Sequence, residues 1–202
     1  MKVALVAIFG SWPVTWYPPG ELPETAEQRR ARLTMAADVV TFVAHDNPTG
    51  LDAFDSAPLV TVIWGSESAM EYHVHAGTKS PIGHQDHGKA RCLGQLRTWK
   101  GNTLLTPEQF KALPGTSPEA TERCARATLS YLHYHARRCL IYSAPPPYRP
   151  RRNFHEPLSE HEVGIIFASY AMGYCTQPLE RSAKRAAKWA KMRKALLASV
   201  DE

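Results

Sequence analysis

The sequence predicts a mainly α-helical domain with long proline-rich connections and at most a small β-hairpin. Three observations predict it. Helix-opening capping boxes recur along the chain, apolar residues return at helical spacing behind them, and alternating strand patterns are scarce. At 202 residues, 44 % hydrophobic and 21 % charged, the chain suits one globular domain, or one domain with a terminal appendage, and falls outside the disordered, collagen-like and coiled-coil classes.

Taken in order, Met1 to Gly10 carries one positive charge and a short apolar run, the outline of a signal peptide. Trp12, Pro13, Trp16, Pro18 and Pro19 follow where a small-residue cleavage site belongs, so residues 1–23 are expected to form an irregular strap. Thr25 and Gln28 make a capping box, and Leu33, Ala36, Ala37, Val40 and Val43 continue it as a helical stripe. That helix should stop near Asp46-Asn47-Pro48, because a residue before proline avoids the αR region. The run from Asp55 to Trp64 admits two readings: its β-branched density favours a strand, whereas Asp or Ser ahead of Pro58 favours a helix start. Residues 70–95 are rich in Gly and His and read as loop with room for a short hairpin. Thr106-Pro107-Glu108-Gln109 opens a short helix, and Ser117-Pro118 opens a longer one running to about Cys139. A proline-rich irregular segment spans Ser143 to Asn153. The box Ser159-Glu160-His161-Glu162 then launches Val163 to Met172, with Gly173 as terminator.

Leu179 to Leu197 is amphipathic. Ala183, Ala186, Trp189, Ala190, Leu196 and Leu197 mark an apolar side, and most of Arg181, Lys184, Arg185, Lys188, Lys191, Arg193 and Lys194 fall on the other. Residues 179–202 are expected to pack on the domain with the basic face in solvent. That face is suited to an anionic outer-membrane lipid or an acidic wall. The net charge of +5 draws the whole chain toward polyanions. No stretch approaches the roughly 20 apolar residues of a membrane span.

Cys92, Cys124, Cys139 and Cys175 permit two disulfides in an oxidising compartment, and equally four buried thiols. Cys124 and Cys139 are expected to share one helix about 22 Å apart, too far to bridge, so any disulfide joins different segments.

Candidate chemistry centres on Glu67 in Trp64-Gly65-Ser66-Glu67-Ser68, after an apolar run, where partial burial would suit a carboxyl group to proton transfer. Two further segments accompany it: Ala90-Arg91-Cys92-Leu93-Gly94-Gln95-Leu96, and Phe167-Ala168-Ser169-Tyr170-Ala171-Met172-Gly173. With these three in this order, between residues 59 and 175, the chain resembles the lytic transglycosylase and goose-type lysozyme superfamily. In that superfamily a Glu-Ser pair ends a buried helix, a Gly-Leu-x-Gln turn lies across the cleft, and a Tyr lines it. The resemblance implies a lysozyme-like fold over residues 24–178 and a buried helix delivering Glu67. It also implies cleavage of the MurNAc–GlcNAc β-1,4 bond of peptidoglycan with Glu67 as general acid/base.

By the same resemblance, Gln95 binds an N-acetyl or hydroxyl group and Tyr170 orients Glu67 or stacks on glycan. Ser68 is grouped with the substrate-binding residues but is expected to cap or support the turn rather than act as a nucleophile, and His75, as a loop histidine beside a polar cleft, is expected to contact substrate. Asp86 is the candidate second carboxylate, with Glu71 as a further one. Cys92 stands where the superfamily usually has Gly, Ala171 where it often has Asn, and the Glu-to-Gln loop is long. No cofactor is implied, a monomer is expected, and the working place would be periplasm, cell wall or the outside. A phage endolysin and a secreted bacterial enzyme both fit. Two other readings stand beside this one. His73 and His75 on one face of an extended segment, with His84 and His87, could hold zinc for a hydrolase. The basic helix could instead belong to a nucleic-acid-binding protein without catalysis.

Overall fold

The computed structural model describes residues 1–12, 23–77, 90–97, 104–142, 154 and 156–199, and among these it is mainly helical, as expected. The helices are α1 (Lys2–Gly10), α2 (Ala26–His45), α3 (Ala53–Ser68), α4 (Tyr72–Ala76), α5 (Pro107–Lys111), α6 (Pro118–Ala136), α7 (Glu160–Met172) and α8 (Glu180–Ala198). A π-helical turn, Arg137–Tyr142, extends α6. The strands β1 (Ala90–Arg91) and β2 (Leu96–Arg97) pair antiparallel as the small hairpin.

Local signals hold where they are self-contained. The boxes at Thr25/Gln28, Thr106/Gln109 and Ser159/Glu162 form in both directions, and each satisfies two backbone N–H groups that a helix start leaves unpaired. Gly173 ends α7 in the left-handed region, at φ 77°.

Helix α3 is the axis of the fold, packed by α1, α2, α6 and α8. Residues Asp55 to Gly65 are all buried, which explains the missing amphipathic period: a helix surrounded on every side has no solvent face to mark. The helix begins earlier than expected. Asp52 caps it by accepting from the Phe54 N–H at 2.6 Å, and Pro58 lies inside the helix. Pro58 has no N–H to give to the preceding turn, so packing rather than propensity maintains the helix there.

Two expectations are corrected at the amino end and after α3. Residues 2–10 form a helix instead of an irregular strap, with Leu5 and Phe9 fully buried and the Phe9 ring 6.5 Å from that of Trp64. Residues 13–22 lie outside the described residues. His73 and His75 sit in the short helix α4, where residues two apart point to different sides.

Helix α8 packs against α7 and α3, in keeping with a terminal helix folded onto the domain. Its orientation differs from the expected split. Ala183 and Leu197 are exposed, while Arg185 turns inward at 5 % exposure and Arg193 reaches the buried Asp55. No helix among the described residues is long and apolar enough to cross a membrane.

Candidate functional site

Glu67, Gln95 and Tyr170 meet in one cleft of about 600 Å³. Its walls come from five elements: Glu67 from the end of α3, Gln95 to Arg97 from the hairpin, Tyr131 and His135 from α6, Tyr170 to Gly173 from α7, and Arg181 and Arg185 from α8.

The three segments come together through one chain of contacts. Trp64 Nε1 donates to Thr128 Oγ1 at 3.1 Å, and Thr128 Oγ1 donates to the Cys124 carbonyl. Gly94 rests on the same threonine so closely that a Cβ there would lie 2.4 Å from Thr128 Oγ1, which only glycine avoids. Tyr170 Oη then donates to the Gly94 carbonyl at 2.6 Å. The glutamate helix, the glutamine turn and the tyrosine helix are therefore joined across α6.

Backbone strain sits on both sides of the cleft. Cys92 and Gln95 have φ of 53° and 50°, and Ala69 and Met70, just after Glu67, have 50° and 56°. Each costs on the order of 1 kcal/mol for a residue with a side chain. The first pair is secured by the Cys92–Cys124 disulfide and by Gln95 Nε2 donating to the Cys92 carbonyl at 3.0 Å. The second is held by buried Arg32, which donates to the Met70 carbonyl at 2.9 Å while forking onto Glu24. A second disulfide, Cys139–Cys175, ties the π-turn to the segment after Gly173. Each disulfide joins different segments, and Cys124 and Cys139 are not paired together, as expected.

The electrostatics are mostly cationic. Arg97, Arg181 and Arg185 face a single carboxylate among the described lining residues, Glu67. Arg185 Nη2 lies 2.7 Å from Glu67 Oε1 in an ion pair, with the two side chains 6 % and 24 % exposed. Burial, reinforced by the negative charge of Glu67 and by Tyr131, holds the Tyr170 phenol well above its usual range, with Arg185 opposing; it stays a protonated donor. His135 Nδ1 lies 2.7 Å from Ser169 Oγ, and burial together with Arg138 pushes the imidazole down to about 4. It is neutral at physiological pH.

Ser68 supports the turn, as expected, and several other expected site residues lie elsewhere. Ser68 is buried and serves the turn: its Oγ donates to the Trp64 carbonyl at 2.6 Å and accepts from the Met70 N–H. His75 is fully buried rather than at the substrate. Its Nε2 is 2.8 Å from Thr121 Oγ1, which already donates to Ser117, so Nε2 carries the proton. Burial and neighbouring Arg32 lower its pKa to about 3. Glu71 is buried with its carboxylate 3.2 Å from His73 Nε2, away from the cleft lining. Asp86, His84 and His87 lie outside the described residues. The proposed zinc face is not formed by His73 and His75, since both are buried in a helix. Among the described residues no cluster of His, Cys, Asp and Glu is arranged to hold a metal ion.

Sequence reasoning missed Tyr131, His135, Arg97, Arg181 and Arg185 as lining residues. A signal was present for some. Cys124, Thr128, Tyr131 and His135 recur at helical spacing, and Arg185 and Arg193 share the i, i+4, i+8 face of Trp189.

The class defined by fold and site is thus a helical, disulfide-braced domain with an arginine-lined cleft around one glutamate. No protein-family model matches the chain, no curated protein matches it, and no solved structure does.

Proposed function

We propose that this protein degrades peptidoglycan by cleaving the MurNAc–GlcNAc β-1,4 bond, with Glu67 as general acid/base. The observation that carries the reading is the convergence of Glu67, Gln95 and Tyr170, far apart in sequence, on one cleft. In the step proposed, Glu67 gives a proton to the glycosidic oxygen as the bond to C1 breaks. The resulting carboxylate then takes a proton from the incoming hydroxyl as its oxygen bonds to C1. When that hydroxyl is the muramoyl C6–OH the product is a 1,6-anhydro sugar, and when it is water the product is a reducing end. One carboxylate suffices for the first outcome, in which the substrate's N-acetyl group assists. The single carboxylate among the described lining residues favours it, with Asp86 the base proposed for the second.

Arg97 and Arg181 at the cleft suit the carboxylates of wall peptides. The exposed Lys184, Lys188, Lys191 and Lys194 suit contact with an anionic wall or lipid surface. The two disulfides suit work in the periplasm, cell wall or outside. Mass spectrometry of purified peptidoglycan after digestion tests the reading: anhydro-muramoyl ends are expected, reducing ends mean a muramidase, and undigested glycan ends the proposal.

A further inference from the structure

The carboxylate lining the cleft is paired with a helix that the sequence gives no reason to connect with it. Glu67 stands in the last turn of α3, where the four terminal carbonyls concentrate partial negative charge, an unfavourable place for a carboxylate. It also has three rotatable side-chain bonds. Left alone there it would spread over several rotamers. Arg185 comes from α8, 118 residues later in the chain, with its guanidinium buried and Nη2 on Glu67 Oε1 at 2.7 Å. A guanidinium in this position supplies charge that offsets the helix end and a buried, rigid partner that anchors Oε1.

We propose that Arg185 is the positioning residue of the cleft: by holding Glu67 Oε1 it presents Oε2 to the substrate and stabilises the carboxylate left when the proton has moved. This rests on the reading of Glu67 as the acid/base. Tyr170 does not share the task, because its hydroxyl is committed to the Gly94 carbonyl. Helix α8 is accordingly part of the site and not an appendage to it. A neighbouring arginine supplies the internal control: Arg193, on the same face of the same helix, bonds to Asp55 in the interior and lines no part of the cleft.

The test compares wild type, Glu67→Gln, Arg185→Ala, Arg185→Lys and Arg193→Met, following muropeptide release on purified peptidoglycan and thermal unfolding in parallel. Arg185→Ala is expected to lose about 10²-fold in kcat, the scale of an ångström misplacement of a reacting group, with KM little changed. Millimolar guanidinium chloride, far below denaturing strength, should restore part of that loss in Arg185→Ala and nothing in Glu67→Gln. Arg185→Lys should retain activity between alanine and wild type. Arg193→Met should lower the unfolding temperature while the folded protein keeps its kcat. If Arg185→Ala does not fold, Arg185→Lys decides: a wild-type kcat in the lysine variant, which lacks the planar fork, overturns the proposal. Wild type active, Glu67→Gln inactive and Arg185→Ala at full kcat overturns the positioning role alone. Wild type that leaves peptidoglycan uncut is a separate result, seen before any variant is assayed, and it removes both readings together.

Discussion

Two arginines on one face of α8 reach two carboxylates on α3, and the pairs end in different surroundings. Arg193 meets Asp55 near the start of α3 and Arg185 meets Glu67 at its end, so the two helices are stapled antiparallel. Asp55 is fully buried and over-committed: Oδ1 accepts from Arg193, Oδ2 accepts from the Leu158 N–H at 2.9 Å, and its backbone carbonyl takes the Trp189 indole. Even so, burial outweighs these partners and pushes its carboxyl above the usual range. A charge pair placed there specifies how α3, α8 and the approach to α7 fit, at a desolvation cost that the pairing does not recover in full. Glu67 is likewise ion-paired to an arginine of α8, with about a quarter of its side chain open to the cleft. An arginine–carboxylate pair serves architecture at one end of the helix pair and opens to the cleft at the other.

The sharpest way to break this comparison is Glu67→Gln. It keeps size and a hydrogen-bond acceptor, removes the proposed proton-transfer group, and is expected to cost on the order of 10³-fold in muropeptide release, with a smaller loss of stability than Arg193→Met because the amide oxygen still faces Arg185. Residual activity near wild type would make the two pairs functionally alike. Arg193→Met should show the opposite profile. It leaves Asp55 buried without its guanidinium and is expected to destabilise by about 3 kcal/mol in urea unfolding, with the surviving folded fraction fully active.

Acid loads the core without involving either arginine. His75 is held at about 3 against an ordinary 6.5, so between those values the unfolded chain binds a proton that the folded protein refuses. Stability should fall as pH drops through this window, by about 1.4 kcal/mol per pH unit from this residue, and level off below it. Urea midpoints from pH 7 to 4 check the slope; His135, held down to about 4, adds to it in the same direction, so His75→Gln should remove the His75 share and leave the His135 share. The smallest effect belongs to the outward basic residues. Replacing Lys191 and Lys194 by Gln should leave fold and kcat in place and weaken salt-sensitive binding to anionic vesicles by about 1 kcal/mol per lysine, measured by co-sedimentation.

Legibility in the sequence followed the range of each interaction. Capping boxes and the Gly173 stop were readable because every participant lies within a few residues. The helix α3 was ambiguous because burial on all sides erases periodicity, and only its resemblance to a glutamate-bearing helix tipped the reading. Its start was misplaced because Pro58 draws attention as a first-turn residue while Asp52, the actual cap, looks unremarkable beside Asp55. His75 reads as part of a loop near substrate because the alternation His-Val-His suits extended chain, whereas five residues of helix bury it under Thr121. Arg185 and Arg193 were counted with the solvent face because a basic residue is exposed by default. Their partners are more than a hundred positions away, and only the shared face with Trp189 hinted at the interior. Glu67, Gln95 and Tyr170 were legible as a set through motif order, not through any local rule.

The disulfides give α6 a further property. Cys124 lies within the helix and Cys139 in the π-turn beyond its end, one bolted to the hairpin and the other to the segment after α7. Helix and turn thereby act as a ruler with a jaw fastened to each mark. The gap between Gln95 and the Tyr170 to Gly173 wall is gauged by covalent bonds, so softening of side-chain packing on warming leaves the jaws at their marks. Reduction of both cystines leaves the ruler standing and the jaws held by packing and by the Tyr170–Gly94 hydrogen bond alone.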